Sequence, residues 1–238
     1  MATTRSFSKT ARTSRMPALA AALLAAVAPP AAAADPDAGC TSDAMIVFDA
    51  SGSMTGTNFN GIAVPRIAKV REAIHQVVPH VSAYRNLGLI VYGPGPHQAC
   101  RNVELKLAPT PNAGPRIIAE IDRLQPDGET PLTTAVREAA EMLRHRQRPA
   151  TIVLLTDGEE NCGGAPCALA ETLKAESPFV TVHVIGFREA DKLGRLDGFA
   201  SRCLADITGG TYTLTETTDD LVAALQQTLS CPQLTARE

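Results

Sequence analysis

The chain has 238 residues and a formal net charge of −3, with 45% hydrophobic and 20% charged residues. This mildly acidic balance argues against nucleic acid as a partner, because nucleic-acid-binding domains carry a basic surface. The length suits one domain. No second long apolar run follows the N-terminal one, so we expect a mature chain that does not span a membrane.

Residues 1–34 have the layout of a cleaved secretory signal peptide. An apolar run from about Pro17 to Val27, too short to span a bilayer, follows a basic leader and ends in small residues at Ala32–Ala34. The leader contains no acid, and its cations are Arg5, Lys9, Arg12 and Arg15. Their removal leaves 18 Lys and Arg against 25 Asp and Glu, a net charge of −7. We therefore expect an exported protein, periplasmic or secreted, whose mature chain 35–238 is one domain with a core over about 43–229.

Two continuous apolar stretches, Asp43–Phe48 and Leu87–Tyr92, predict strands that are buried on both faces of a sheet. Between them, Val64–Val78 carries apolar residues at helical spacing, and Pro79 is expected to end this helix. The same spacing places Arg66 on the solvent side of the helix.

The stretch Asn102–Leu107 alternates apolar and charged residues, which is typical of a strand with one face in water. A Pro/Gly-rich turn joins it to the strand before, so we expect an antiparallel pair at the sheet edge. The remaining pattern alternates helices and strands, the last helix being capped by Asp219 or Asp220. Helices are predicted at Pro115–Leu124, Leu132–Arg146, Cys167–Glu176, Ala190–Ile207 and Asp219–Leu229, and strands at Thr151–Leu155, Val180–Phe187 and Thr211–Leu214. This order predicts an α/β fold with a doubly wound, mostly parallel sheet of about six strands, one antiparallel edge strand and helices on both faces.

Acidic and hydroxyl residues lie just after the predicted strands, at the edge of the sheet where the carboxyl ends of the strands meet. Asp49, Ser51 and Ser53 come after the first strand, Asp157 comes after a later strand, and Thr130 precedes a helix. Open α/β sheets bind ligands at this edge, so we expect the five side chains to converge. Two unpaired carboxylates would repel one another there, whereas a divalent cation would remove that cost. Carboxylate and hydroxyl oxygens suit Mg²⁺, and also Mn²⁺ or Ca²⁺.

Three sequence pieces resemble the metal-ion-dependent adhesion site (MIDAS) of the von Willebrand factor type A (vWA) domain, here of the exported bacterial type. They are Asp49-Ala-Ser51-Gly-Ser53, Thr130 within Gly-Glu-Thr-Pro-Leu, and Asp157 within Thr-Asp-Gly. The resemblance covers about 43–229. It implies that Ser51, Ser53 and Thr130 are direct or near-direct ligands, and that Asp49 and Asp157 coordinate directly or through water. It also implies a protein partner, whose acidic side chain completes the coordination sphere.

Three further acids, Glu129, Glu159 and Glu160, lie beside the predicted metal ligands in the sequence. We interpret them as a solvated acidic rim in preference to additional ligands. A rim that faces the partner would favour basic groups around the partner's coordinating acid.

All six cysteines follow the predicted cleavage site, and an even number in an exported chain predicts three disulfides in preference to a metal site. Cys40 and Cys231 flank the predicted domain and are expected to pair, which would tie the two ends together. Two pairings remain open for the other four, which are Cys100, Cys162, Cys167 and Cys203. One joins Cys162 to Cys167 and Cys100 to Cys203, and the other joins Cys100 to Cys162 and Cys167 to Cys203.

The five histidines are scattered over the predicted elements and form no catalytic arrangement. We therefore expect a non-enzymatic exported protein that uses its cation for metal-dependent protein–protein interaction. One alternative is an accessory or assembly subunit of an exported complex, which the sequence does not separate from the first hypothesis. Another is a metal-assisted hydrolase in which Glu129 or Glu159 acts as the base.

Overall fold

The computed structural model describes residues 42–56, 64–95, 99–158, 160–187 and 200–229, together with Met1. The strands are β1 Ala44–Asp49, β2 Leu87–Tyr92, β3 Val103–Thr110, β4 Ala150–Thr156, β5 Val180–Phe187 and β6 Tyr212–Thr215. The α-helices are α1 Arg66–Val81, α2 Gly114–Asp122, α3 Leu132–Met142, α4 Pro166–Glu176, α5 Arg202–Thr208 and α6 Thr218–Leu229. Apart from Met1, the predicted signal peptide lies outside this described part, as do Cys40, Cys231, Glu159 and residues 190–199 of a predicted helix.

The strands form one six-stranded sheet in the order β3-β2-β1-β4-β5-β6. Every neighbouring pair is parallel except β2 with β3, which is antiparallel. The predicted fold class is therefore confirmed, including the antiparallel edge strand. β3 extends to Thr110, three residues beyond its predicted end, and it includes Pro109. An edge strand tolerates proline because one side of its backbone has no strand neighbour.

The two faces of the sheet bury separate apolar layers, and the alternating side chains of β1 belong to both. Ile46 and Phe48 pack with residues of α1, α2 and α6, whereas Met45 and Val47 pack with residues of α3, α4 and α5. All six residues of β1 are buried, as expected for a central strand of a doubly wound sheet. Among the described helices, none combines the length and the apolar character needed to cross a bilayer.

The predicted end of α1 at Pro79 is wrong, because the helix continues to Val81 with Pro79 inside it. Proline removes one backbone hydrogen bond and crowds the preceding turn. Here that cost falls close to the end of the helix, and the extra residues bury Val81, which is 1% exposed. Burial of the last turn in the core thus outweighs the local preference of proline.

Two other helix ends depend on hydrogen bonds that the predictions did not include. α3 ends four residues before its predicted end at Arg146, because Arg144 adopts a φ of 54° and the His145 N–H donates to the Ala140 carbonyl. α6 is capped by Thr217, whose hydroxyl accepts the Asp220 N–H while the Asp220 carboxylate accepts the Thr217 N–H. This reciprocal pair is a capping box, so Asp220 takes part in the cap from the first turn of the helix.

Candidate metal centre

The sheet places the ends of β1 and β4 side by side, because the two strands are parallel neighbours. Asp49 is the last residue of β1, and Asp157 directly follows β4. Both residues are buried, Asp49 with 0% and Asp157 with 4% of its surface exposed. This is the edge at which open α/β sheets bind ligands.

Two hydrogen bonds fix the orientation of the Asp49 carboxylate. Its Oδ1 accepts the backbone N–H of Ser51 at 2.8 Å, and its Oδ2 accepts the Thr156 hydroxyl at 2.7 Å. The Thr156 hydroxyl also lies 3.0 Å from the Gly158 carbonyl oxygen and accepts the Gly158 N–H at 3.2 Å. Thr156 therefore links the carboxylate of β1 to the loop that follows β4, a role that the sequence interpretation missed.

Backbone hydrogen bonds hold three loops together at this edge. The Gly52 N–H donates to the Gly128 carbonyl at 2.9 Å, and the Gly128 N–H donates to the Gly93 carbonyl at 2.9 Å. Gly93 has a φ of +75°, and a Cβ added to it would lie 2.8 Å from the Cα of Ser51. Both the conformation and the close approach require glycine. The segment leading to Thr130 is thereby held against the loop that carries Ser51.

The three predicted hydroxyl ligands lie together beside the turn of Asp157 and Gly158. Ser51 Oγ and Ser53 Oγ are 3.0 Å apart, and Ser53 Oγ donates to Asp157 Oδ1 at 2.5 Å. A Cβ added to Gly158 would lie 3.5 Å from Ser53 Oγ and 3.9 Å from Thr130 Oγ1, so these two hydroxyls flank one point. Ser51 and Thr130 are buried, whereas Ser53 is exposed. The oxygen cluster therefore opens to solvent at Ser53.

The two carboxylates are electrostatically unfavourable where they stand. Burial and the charge of Asp157 raise the pKa of Asp49 from its ordinary value of 3.8 to about 6. Burial also raises the pKa of Asp157, and hydrogen bonds from Ser53 and Arg66 limit that rise. A divalent cation would offset both effects, and the donors are all hydroxyl or carboxylate oxygens. This donor set fits a hard cation such as Mg²⁺.

A cation of the chain itself, Arg66, also contacts this cluster. Its Nη1 donates to Asp157 Oδ2 at 2.9 Å and to the Ser53 backbone carbonyl at 3.0 Å. The side chain is 26% exposed, whereas that of Asp157 is 0% exposed. The expectation that Arg66 faces solvent is therefore wrong. Arg66 is the first residue of α1, and at a helix start a long side chain can reach a neighbouring loop.

The loop after β4 also holds the Thr130 segment. Asn161 Oδ1 accepts the Thr130 N–H at 2.7 Å, and its amide donates to the Glu129 carboxylate. Glu160 Oε2 accepts the Thr133 N–H at 2.8 Å, and Oε1 accepts the Cys162 N–H at 2.8 Å. The Glu160 carboxylate thus bonds the first turn of α3, which corrects its placement on a solvated rim. Glu129 is joined to Asn161, while Glu159 lies beyond the residues that the structure describes.

The structure pairs Cys100 with Cys162 and Cys167 with Cys203, the second of the two alternatives. Cys162 directly follows Asn161, so its disulfide anchors the loop after β4 to the segment between β2 and β3. The edge hairpin and α5 are therefore not joined to each other. The hairpin is tied to the loop after β4, and α5 is tied to α4. The expected Cys40–Cys231 pair lies in the part of the chain that is not described.

A second polar cluster joins the end of α3 to the end of α4. His145 is 1% exposed, with Nδ1 3.0 Å from the Ala140 carbonyl oxygen and Nε2 2.8 Å from Glu176 Oε2. Arg146 donates to both Glu141 and Glu176 at 2.9 Å. Although one His and two Glu ligand atoms lie within 4.8 Å of one another, the carboxylates already pair with Arg146. We interpret this cluster as an ion-pair network between the two helices.

Comparison with known proteins agrees with this fold. Residues 44–160 match the family model VWA_2, described as a von Willebrand factor type A domain. The uncharacterized protein YwmD of Bacillus subtilis (strain 168) is 28% identical over 174 residues, which cover 69% of this chain and 75% of that protein.

Several solved structures share the fold. The vWA domain of SpRpn10 superposes with a TM-score of 0.58 at 15% identity, covering 80% of this chain and 97% of that one. Proximal thread matrix protein 1 of the mussel byssus, with a zinc-occupied MIDAS motif, gives 0.55 at 18% identity, covering 80% and 46%. The manganese-loaded TRAP protein of Plasmodium vivax gives 0.54 at 17% identity, covering 81% and 75%.

A doubly wound α/β sheet with a cluster of carboxylate and hydroxyl oxygens at its carboxyl edge defines the class of fold and the candidate site. The matched family model is more specific: residues 44–160 are similar to a von Willebrand factor type A domain, and the chain shares the fold of the solved vWA structures.

Proposed function

We propose that this chain is an exported, non-enzymatic binding module that holds a divalent cation at a complete MIDAS and uses it to bind a protein. The ligand set is Asp49, Ser51, Ser53, Thr130 and Asp157. The observation that carries the proposal is the meeting of two buried carboxylates with three hydroxyls at one sheet edge, although they come from three separate loops.

The cation proposed is Mg²⁺, because the donors are hydroxyl and carboxylate oxygens. Sites of this donor type also accept Mn²⁺ or Ca²⁺. The mussel byssus protein with zinc at its MIDAS and the manganese-loaded TRAP protein support binding of a divalent metal at such a site. Those structures do not favour Mg²⁺ over the metals that they contain.

The partner is proposed to be a protein that offers a carboxylate to the cation. The oxygen cluster opens to solvent at Ser53, so an incoming group can approach the cation there. A pilus adhesin, SpaC of Lactobacillus rhamnosus GG, has the same fold at 16% identity and a TM-score of 0.55, which agrees with an adhesive use of the domain. Glu129, which lies beside Thr130, would favour basic groups around the partner's acid.

Export is proposed from two independent features. The segment 1–34 has the basic, apolar and small-residue order of a signal peptide. Two disulfides join four cysteines, and such bonds persist in oxidising compartments. The site of action would then be the periplasm or the cell exterior.

Calorimetric titration of Mg²⁺ and Mn²⁺ into chelator-stripped protein tests the metal site. We expect one site in the wild type and loss of binding in Asp49→Ala and Asp157→Ala. Asp206→Ala is a matched control, because Asp206 is an exposed acid that pairs with Arg202 on α5. Unchanged metal affinity in both site variants would reject the proposal.

The partner is tested by pull-down from periplasmic extract or culture medium with the wild type and Asp49→Ala. A specific partner should bind the wild type with Mg²⁺ present and should be released by EDTA. Capture that is equal for both proteins, or that persists in EDTA, would show that the interaction does not use the cation.

A further inference from the structure

Arg66 brings a fixed positive charge to a site that is proposed to hold a cation. As the first residue of α1, it is tied to the preceding loop by its own backbone, whose N–H donates to the Gly56 carbonyl at 3.1 Å. Its guanidinium reaches both the Ser53 carbonyl and the Asp157 carboxylate. The residue is therefore held by three hydrogen bonds, one from its backbone and two from its side chain, beside the loop that carries Ser53.

The contacts of Asp157 divide its two oxygens between different neighbours. Oδ1 faces the hydroxyl cluster and accepts from Ser53 Oγ at 2.5 Å. Oδ2 accepts from Arg66 Nη1 at 2.9 Å. A cation bound by the hydroxyls and Oδ1 would thus share one carboxylate with Arg66.

We propose that Arg66 is an affinity-tuning residue of the metal site: it competes with the divalent cation for the charge of Asp157. This inference rests on the proposed metal binding of Asp49 and Asp157. The ion pair between Arg66 and Asp157 balances the negative charge of the buried carboxylate when no metal is bound. The same ion pair lowers the affinity of the site for metal.

The charge balance shows why the effect should be large. Asp49 and Asp157 supply two negative charges, and Arg66 reduces the sum to −1. A bound dication then leaves the site at +1, whereas without Arg66 it would leave the site neutral. The wild-type site, at +1 with the dication bound, therefore holds the cation less tightly than a site without Arg66 would. The same positive charge attracts an anionic group of a partner more strongly.

Removal of the charge therefore has opposite effects on the two states of the protein. In Arg66→Gln, the buried Asp157 loses its ion pair, so the metal-free protein should melt at a lower temperature than the wild type. The metal-bound protein loses a repulsion, so Mg²⁺ should raise the melting temperature of Arg66→Gln by more than that of the wild type.

The test is calorimetric titration of Mg²⁺ and Mn²⁺ into chelator-stripped wild type, Arg66→Gln, Arg66→Lys and Arg116→Gln. Arg116 is a matched control, because it is an exposed arginine in the first turn of α2. That helix begins beside the end of α1, where the Asn112 N–H donates to the Ser82 carbonyl. We expect Arg66→Gln to bind Mg²⁺ at least about tenfold more tightly than the wild type. Arg66→Lys and Arg116→Gln should stay close to the wild type, because Lys keeps the charge and Arg116 lies away from the metal loops.

Equal or weaker Mg²⁺ binding by Arg66→Gln would overturn the inference, since Arg66 would then only position Asp157. If this variant unfolds without metal, it is refolded with Mg²⁺ and the release rate into excess EDTA is measured. Slower release than from the wild type supports the inference, and equal or faster release overturns it. Asp49→Ala separates the two proposals. If this variant binds Mg²⁺ as tightly as the wild type does, the proposed metal site is rejected. If it loses Mg²⁺ binding, the metal site stands, and an unchanged affinity in Arg66→Gln rejects only the role of Arg66.

Discussion

Replacement of Asp49 by Asn should stabilise the metal-free protein and abolish its stabilisation by Mg²⁺. Asp49 is fully buried and lies near a second carboxylate, and the resulting environment raises its pKa from 3.8 to about 6. At pH 7.5 the folded protein must therefore keep an unfavourable charge, which the neutral amide removes. The same negative charge is expected to attract the cation. The substitution should therefore raise the stability of the metal-free protein while it lowers the affinity for metal.

The magnitude follows from the shift in pKa. A rise in pKa from 3.8 to about 6 corresponds to about 3 kcal/mol of unfolding free energy. The folded state holds its proton more tightly than the unfolded state, so stability falls as the pH rises from about 4 to about 6 and is constant outside that range. For a domain of this size, about 3 kcal/mol corresponds to roughly 6–12 °C in melting temperature.

The hydrogen bonds around Asp49 can adapt to an amide. Asn Oδ1 can accept the Ser51 N–H in place of the carboxylate oxygen. Asn Nδ2 can donate to Thr156 Oγ1, whose hydroxyl proton can turn to the Gly158 carbonyl oxygen, 3.0 Å away. The Ser51 N–H and the Thr156 hydroxyl thus keep their partners, and the cost of the second amide N–H is expected to be smaller than the charge penalty that the substitution removes.

Thermal melts followed by circular dichroism at pH 4, 5, 6 and 7.5, each with EDTA and with Mg²⁺, measure both effects. With EDTA, Asp49→Asn should melt above the wild type at pH 7.5, and the difference should vanish near pH 4. With Mg²⁺ at pH 7.5, only the wild type should gain stability. Asp206→Asn is the control for loss of an exposed acid. A melting temperature of Asp49→Asn below that of the wild type at pH 7.5 with EDTA would refute the reasoning, as would a difference that does not change with pH.

Three further predictions concern the groups that hold the loops of the site. Asn161→Ala removes the acceptor for the Thr130 N–H and should weaken Mg²⁺ binding by about tenfold in calorimetry, with a normal far-ultraviolet circular dichroism spectrum. The double variant Cys100→Ser/Cys162→Ser should lose about 2–4 kcal/mol in urea unfolding and should bind Mg²⁺ more weakly, because the disulfide anchors the loop of Asn161. Gly93→Ala should lose more than about 2 kcal/mol, since φ is +75° and its Cβ would lie 2.7 Å from a backbone carbonyl. Wild-type behaviour of any of these variants would contradict the role given to that residue.

Buried strands were predicted well because their signal is local. The predicted strands Leu87–Tyr92 and Val180–Phe187 coincide with β2 and β5. The first is a continuous run without polar side chains, and the second is rich in β-branched residues and ends in the run Val184–Phe187. Helix ends were predicted less well, since tertiary contacts decide them. α1 passes Pro79 because its last turn is buried, and α3 ends early because a backbone N–H turns back to its helix.

The meeting of the candidate ligands was predictable because it follows from topology. Asp49 and Asp157 come at the ends of strands, and parallel neighbouring strands bring their ends to one edge whatever the length of chain between them. The contacts of Arg66 and Asn161 have no such signal. Arg66 lies 91 residues from Asp157 and Asn161 lies 31 residues from Thr130, and each pair depends on the course of loops that periodicity does not describe.

The contact of Arg66 also changes how the charges of this edge are counted. From the sequence, Asp49 and Asp157 are two uncompensated acids, and a dication is the simplest group that would balance them. In the structure, Arg66 already pairs with Oδ2 of Asp157. Of these two acids, Asp49 is therefore the one for which the described residues supply no ion pair. Asp49 should therefore dominate the electrostatic need for metal, while Asp157 shares its charge with Arg66. Calorimetry should show this as a larger loss of Mg²⁺ affinity in Asp49→Asn than in Asp157→Asn, whereas the reverse order would place the main charge of the site on Asp157.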